Sequence, residues 1–440
     1  MQRTTRTFSI ESITNLNQKI LRWSQQYETA VWLDSNKHDQ NYTSFHSILA
    51  VDEFTSIKTD YVNAFDKLKE YQSITQDYLF GYISYDVKNA TENLTSKNID
   101  GLGFADLYFF QPQKILFIRN DSIEFHYLSM VEDEINSDFE AICNVVIEQN
   151  NNETHLKNSQ KIIIQPRIQQ DKYHQKISEI LEYIHKGDIY EANFCQEFFA
   201  ENTCINPLEV YEDLNIISEP PFATFLKIEN HYLLSASPER YLKKDGSKVI
   251  SQPIKGTAKR LTDHLDDQKI AVALSTDIKE RSENIMIVDL VRNDLSKSAK
   301  KGSVSVEELC KVSSFKQVHQ MVSTVVSELK DDVHPVDVIK DTFPMGSMTG
   351  APKISAMKII ETLEETKRGL YSGTVGYFTP TGDFDFNVVI RSILYNSEKK
   401  YLSFSVGSAI TAKSTPEKEY EECLLKAKAM QFVLTNSTEL

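Results

Sequence analysis

Apolar residues three and four apart mark the clearest elements of the chain. In KYHQKISEILEYIHKG (172–187), Ile177, Ile180, Leu181 and Ile184 share one helical face, and Gly187 suits the helix end. The spacing predicts a second helix over DIKERSENIMIVDLVRNDLSK (277–297), with Ile278, Ile285, Val288, Val291 and Leu295 near one face. A third begins in STPEKEYEECLLKAKAMQF (414–432), where Thr415 suits the N-cap, Pro416 the first helical position, and acids the first turn. Shorter apolar runs read as strands: YLFGYISYDV, KILFIRN, FATFLKI, HYLLSASP, LYSGTVGYFT and FNVVIRSILYN. Strands and helices mix without a strict βα repeat, which predicts an α+β fold rather than a doubly wound sheet. The polar, Asn-rich EQNNNETHLKNSQ (148–160) reads as a loop between two halves. The expected division is 1–150, a linker at 151–170, and a second region at 171–432.

Charge and cysteine content narrow the setting. The 440 residues carry 48 basic and 63 acidic side chains, a formal charge of −15. General binding to nucleic acid or to an anionic membrane needs a net basic face, so neither is expected. A small anionic substrate would need a local positive site against this field. Five cysteines without a Cys-x-x-Cys pair fit reduced thiols in a cytoplasmic protein. The start lacks the apolar stretch of a signal peptide, and no apolar run is long enough for a membrane span.

Several polar residues stand out, each with a plain structural reading beside a chemical one. QPIKGTAKR (252–260) sets Lys255 between Pro253, which fixes the backbone, and Gly256, which allows a sharp bend. An amine there is a solvated charge, an anion clamp or a nucleophile. Glu283, and Glu419 with Glu422 three residues on, are carboxylates on predicted helices. They form either solvated acidic faces or a Mg²⁺ site, since that ion takes one or two carboxylates plus waters and a substrate oxygen. Arg391 interrupts the apolar FNVVIRSIL, as a structural charge or as a planar fork for a carboxylate. Glu239 in SASPER is either a local partner of Arg240 or a general acid. FPMGSMTGAPK (343–353) has three residues between Gly346 and Gly350, and Lys353 comes two residues late for a nucleotide loop. A glycine turn opening a helix toward an anion stays open.

Eight blocks in one order carry a resemblance: GDIYEANFCQEF, SASPERYL, QPIKGTAKR, KERSENIMIVDLVRNDL, FPMGSMTGAPKISAMKIIETLE, RGLYSGTVGYF, VVIRSIL and VGSAITAKSTPEKEYEECLLKA. Together, over roughly 171–432, the chain resembles the chorismate-utilising enzymes. The first 150 residues match weakly, chiefly at GYISYD. The resemblance implies a large α+β unit of two packed, mainly antiparallel sheets with outer helices, the N-terminal region contributing to the common core. It also implies a Mg²⁺-dependent displacement on chorismate, with 171–432 as the catalytic region.

Site residues follow from the same resemblance. Glu283 and Glu422 match metal-binding glutamates, with Glu419 supporting through water. Arg391 matches the arginine that pairs with a substrate carboxylate, beside a cradle at Gly407, Ser408 and Ala409. Lys353 joins the substrate-binding set, Glu239 matches the acid that protonates the departing 4-hydroxyl, and Thr257 lies near that oxygen. Lys255 matches the lysine that attacks ring carbon 2 in amination to 4-amino-4-deoxychorismate, its pKa lowered toward neutrality by burial or a cation. Gln196 stands where water-using relatives are expected to carry a basic lysine, which disfavours water as nucleophile. A family histidine linked to pyruvate elimination is displaced here, with Gln320 at its position and His319 one place earlier. No cysteine lies in a Gly-x-Cys-x-Gly turn, so ammonia is expected from a separate glutaminase subunit. Anthranilate formation is the alternative reaction, and a nucleotide-binding regulatory module the alternative of another class.

Overall fold

The computed structural model describes residues 2–11, 13–38, 41–43, 45–92, 94–147, 162–316 and 318–435. The polar loop at 148–160 and most of the linker therefore lie outside the described residues. The end of the linker is built into the fold: Gln165–Pro166 pairs with the strand Glu191–Ala200, and the helix Gln170–Lys186 follows.

Alternation along the strands builds two cores. In Thr29–Asp34, Val31 and Leu33 enter one core while Ala30 and Trp32 enter the other. Phe222–Ile228 repeats this, with Leu226 and Ile228 on one side and Ala223 and Phe225 on the other. A strand buried on both faces must be apolar at successive positions, which is why these runs lack polar alternation.

The strands form one continuous antiparallel sheet. One layer runs from Glu191–Ala200 through Tyr401–Thr411, Ser392–Asn396, His231–Ser237, Phe222–Ile228 and Thr29–Asp34 to Ser47–Thr59. The other runs from Leu107–Ile118 through Leu79–Ile83, Thr374–Phe378, Phe384–Asn387, Arg240–Asp245 and Lys248–Gln252 to Val318–Glu328. Ser47–Thr59 pairs along the length of Leu107–Ile118 and joins the layers. Leu226, Leu233 and Leu394 from the first layer meet Phe80, Leu242 and Phe386 from the second in the inner core. Helices cover the outer face of the first layer with residues such as Ile20, Ile177, Leu214, Ile360 and Met430. The α+β expectation with packed antiparallel layers and outer helices holds.

The three expected helices form, as Gln170–Lys186, Ile278–Ser298 and Pro416–Thr435. Gly187 ends the first with φ 85°. The apolar face of the second is rotated from its expected position: Ile278 is 78% exposed, whereas Ile287 is fully buried beside Val288, Val291 and Leu295. FNVVIRSILYN is not one strand. It breaks between Phe384–Asn387 and Ser392–Asn396, and Arg391 sits in the break with φ 52°. Among the described residues no helix is long and apolar enough to cross a membrane.

Candidate active site

A bulge explains the backbone at Lys255. Ile254–Lys259 pairs with Val318–Glu328 as Ile254↔Val322 and Thr257↔Gln320, and the register shifts between those pairs. Gly256 absorbs the shift with φ 93°, a conformation disfavoured for other residues. The bulge sends both Lys255 and Thr257 into a cavity of about 640 Å³, a volume suited to a small organic ligand. Glu239, Glu283, Arg391, Gly407, Ala409 and Glu422 line the same cavity. Eight lysine and arginine side chains line it against four glutamates. This is the local positive site that an anionic ligand needs in a chain of charge −15.

Glu239 follows the strand His231–Ser237 and is 4% exposed. Its Oε1 accepts a hydrogen bond from the Ser347 hydroxyl at 2.7 Å. Burial pushes the carboxyl up to about 7, against the lowering effects of Ser347 and the Lys255 ammonium. Such a group donates a proton near neutral pH. The glycine loop around Gly346 thus contributes a hydroxyl to the cavity.

Lys255 departs from its expected state. Its Nζ lies 2.9 Å from Glu191 Oε1, with the two side chains 11% and 1% exposed. Burial lowers its pKa, but the charge and hydrogen bond of Glu191, with Glu283 and Glu239 adding, outweigh burial and raise it. The resting amine is therefore an ammonium.

The guanidinium of Arg391 makes no hydrogen bond or ion pair among the described residues. Burial lowers its pKa, with Tyr371 and Glu422 opposing. A half-buried guanidinium on the cavity wall without a carboxylate partner is ready to pair with one on a ligand. Gly407 lies beside Cys195 in the sheet register. A Cβ there would come within 2.9 Å of the Asn193 and Cys195 side chains, so glycine keeps this wall open.

The glutamates fit a hard cation. Glu283 Oε1 is buried without a hydrogen-bond partner, and burial pushes its carboxyl up to about 7 against Lys255 and Lys279. Burial raises Glu422 as well, but its ion pair with Lys426 at 2.6 Å prevails and holds it below the usual range. No cluster of three potential ligand side chains converges among the described residues. Mg²⁺ needs only one or two carboxylates beside waters and a substrate oxygen, so the pair fits that ion. Glu419 does not line the cavity, and its carboxylate accepts a hydrogen bond from Ser408.

Three of the expected substrate contacts are not brought to the cavity. Lys353 Nζ is saturated by Asp294 at 2.5 Å and by the carbonyls of Thr342 and Pro344 at 3.1 and 2.8 Å. Gln196 is buried on the opposite side of its strand, where its Oε1 accepts from the Ile168 backbone N–H at 3.2 Å. The two-residue period puts Gln196 on the strand face opposite Glu191, Asn193 and Cys195, of which Asn193 lines the cavity. Ser408 turns its side chain away for the same reason, between Gly407 and Ala409. The same alternation places Gln320 on the cavity with an unpartnered Oε1. His319 faces the other way, bonded to Ser314 at 2.8 Å and Asp267 at 2.9 Å.

Reading the residues one by one missed Glu191, Ser347 and Lys279. A carboxylate inside the apolar strand DIYEANF was the available signal for Glu191.

A family model described as chorismate binding enzyme matches residues 28–432. Aminodeoxychorismate synthase component 1 of Escherichia coli (strain K12) is 40% identical over 258 residues, 59% of this chain and 56% of that protein. Anthranilate synthase component 1 of Acetivibrio thermocellus is 31% identical over 376 residues, 82% of this chain and 75% of that protein. The chain spans about half the length or less of the aminodeoxychorismate synthases it matches, 56% of the E. coli protein and 31% of the one from Oryza sativa subsp. japonica. Among solved structures, anthranilate synthase component I from Streptococcus pneumoniae TIGR4 superposes with a TM-score of 0.78 at 24% identity. That match covers 90% of this chain and 95% of the other, and bears on the fold.

Proposed function

Because this chain belongs to the chorismate-binding enzymes, we propose that it aminates chorismate to 4-amino-4-deoxychorismate, with ammonia from a separate glutaminase subunit. The observation that carries this reading is a buried lysine amine, Lys255, in the same cavity as a carboxyl held near 7, Glu239. Arg391 pairs with a carboxylate of the substrate. The Lys255 amine bonds to ring carbon 2, and Glu239 gives its proton to the departing 4-hydroxyl, near Thr257. Ammonia then enters at carbon 4 and releases the lysine. Glu283 and Glu422 would hold Mg²⁺, which when bound neutralises and orients a substrate carboxylate. The thiols nearest the cavity support an outside source of ammonia. Burial pushes Cys195 and Cys423 up to about 12, far from a reactive thiolate. Gln320 on the cavity wall, which does not titrate usefully, speaks against the further elimination that yields anthranilate.

The test is the product formed from chorismate, Mg²⁺ and ammonium. An aminated intermediate that becomes p-aminobenzoate only after an added lyase is expected. Anthranilate formed without the lyase would overturn the reading. With glutamine as the nitrogen source, turnover should appear only when a glutaminase is added.

A further inference from the structure

We propose that Glu191 is the positioning residue that holds the Lys255 ammonium in the cavity and takes its proton when the amine attacks; this rests on Lys255 being the nucleophile. An ammonium has no lone pair, so the amine must lose a proton before it bonds to carbon. The Lys255 side chain is 11% exposed and that of Glu191 is 1% exposed, which leaves solvent little access to the proton. Glu191 Oε1 is already at hydrogen-bond distance, 2.9 Å from Nζ. Its other oxygen, Oε2, is buried without a partner.

The backbone fixes this carboxylate from both sides. Glu191 is paired with Ala351 on one flank and Thr411 on the other. Gly350 permits the close approach, since a Cβ there would stand 2.2 Å from the Glu191 carbonyl oxygen. Two other carboxylates act on Lys255, and each has another engagement. Glu239 is hydrogen-bonded to Ser347 and must keep its proton for the leaving oxygen. Glu283 faces Lys279 at 3.7 Å and belongs to the proposed cation site.

The step balances with these groups alone. One Nζ–H bond breaks and a bond to Oε1 of Glu191 forms. The freed lone pair makes the bond from Nζ to carbon 2, the ring double bonds shift, and the C4–O bond breaks. Glu239 protonates the leaving oxygen, and water departs. When ammonia bonds to carbon 4, the electrons of the C2–N bond return to Nζ, and the amine recovers its proton from Glu191.

The experiment follows adduct formation by intact-protein mass spectrometry with chorismate and Mg²⁺ and without ammonia. Wild type, Glu191→Gln and Glu191→Asp are compared between about pH 5 and 9, a range wide enough to include a lysine pKa lowered by the loss of Glu191, below which a neutral amine fraction set by solvent grows about tenfold per pH unit. The ratio of Glu191→Asp to wild type cancels the titration of Glu239 and Glu283, because that variant keeps the carboxylate charge that acts on Glu283. For Glu191→Gln the ratio should climb with pH, by up to about tenfold per pH unit until the lysine reaches its own pKa, which falls once Glu191 no longer raises it, because only lysines already neutral can react. For Glu191→Asp, which keeps a carboxylate, the ratio should stay level below one. A level ratio for Glu191→Gln would overturn the proposal, and so would a climbing ratio for Glu191→Asp, which stands even where the amide variant fails to fold. Absence of any adduct in wild type would instead remove the Lys255 reading on which the inference rests.

Discussion

Glu239→Gln keeps the shape of a buried side chain and removes its proton, so it separates stability from chemistry at one position. Glu239 is 4% exposed, and burial raises its carboxyl from 4.5 to about 7. In the unfolded chain the same carboxyl ionises at its ordinary value. Below pH 4.5 both states hold the proton and the group costs nothing. As pH rises from there through about 7, the unfolded chain loses its proton first, and the folded protein loses stability. The full difference corresponds to roughly 3 kcal/mol, reached above the folded value. Gln carries no such cost, and its side-chain oxygen still accepts from Ser347. The variant should therefore match wild type near about pH 4 and exceed it by up to roughly 3 kcal/mol near about pH 8. Urea unfolding followed by fluorescence of Trp23 and Trp32, both buried, reads this directly. Turnover should fall about 10²- to 10⁴-fold, the range for loss of a general acid. A variant no more stable than wild type at the higher pH would refute the buried-acid argument, whatever its activity.

Arg391→Lys should weaken chorismate binding about 10- to 100-fold by calorimetry, because an ammonium cannot reproduce a two-pronged contact with a carboxylate. Glu283→Gln should lower affinity for Mn²⁺, used as a paramagnetic stand-in for Mg²⁺, by about tenfold or more, with unchanged circular dichroism. Lys353→Met removes one of the two ammonium partners of Asp294, which keeps Lys297 at 3.1 Å, and leaves the Thr342 and Pro344 carbonyls without that donor, so the urea midpoint should drop by the equivalent of about 1–3 kcal/mol. The folded fraction of that variant should bind chorismate normally, and weakened binding would return Lys353 to the substrate site.

The chain's own residues determine its elements and much of its chemistry. Period and capping are local properties, so the helix ending at Gly187 and the one opening at Pro416 were legible without tertiary information. Pro253 and Gly256 announced a bend at Lys255, and the eight ordered blocks announced the family. Which face a side chain occupies is decided elsewhere. Gln196 and Lys353 are polar residues within matching blocks, yet strand alternation and a buried ion pair hold them away from the cavity. The protonation of Lys255 also depends on a partner 64 positions away in sequence. Burial alone lowers the pKa of the amine; a carboxylate brought to 2.9 Å by sheet register reverses the sign of the shift. Long-range electrostatics of this kind arise only when distant strands pair, and no local pattern around residue 255 encodes them.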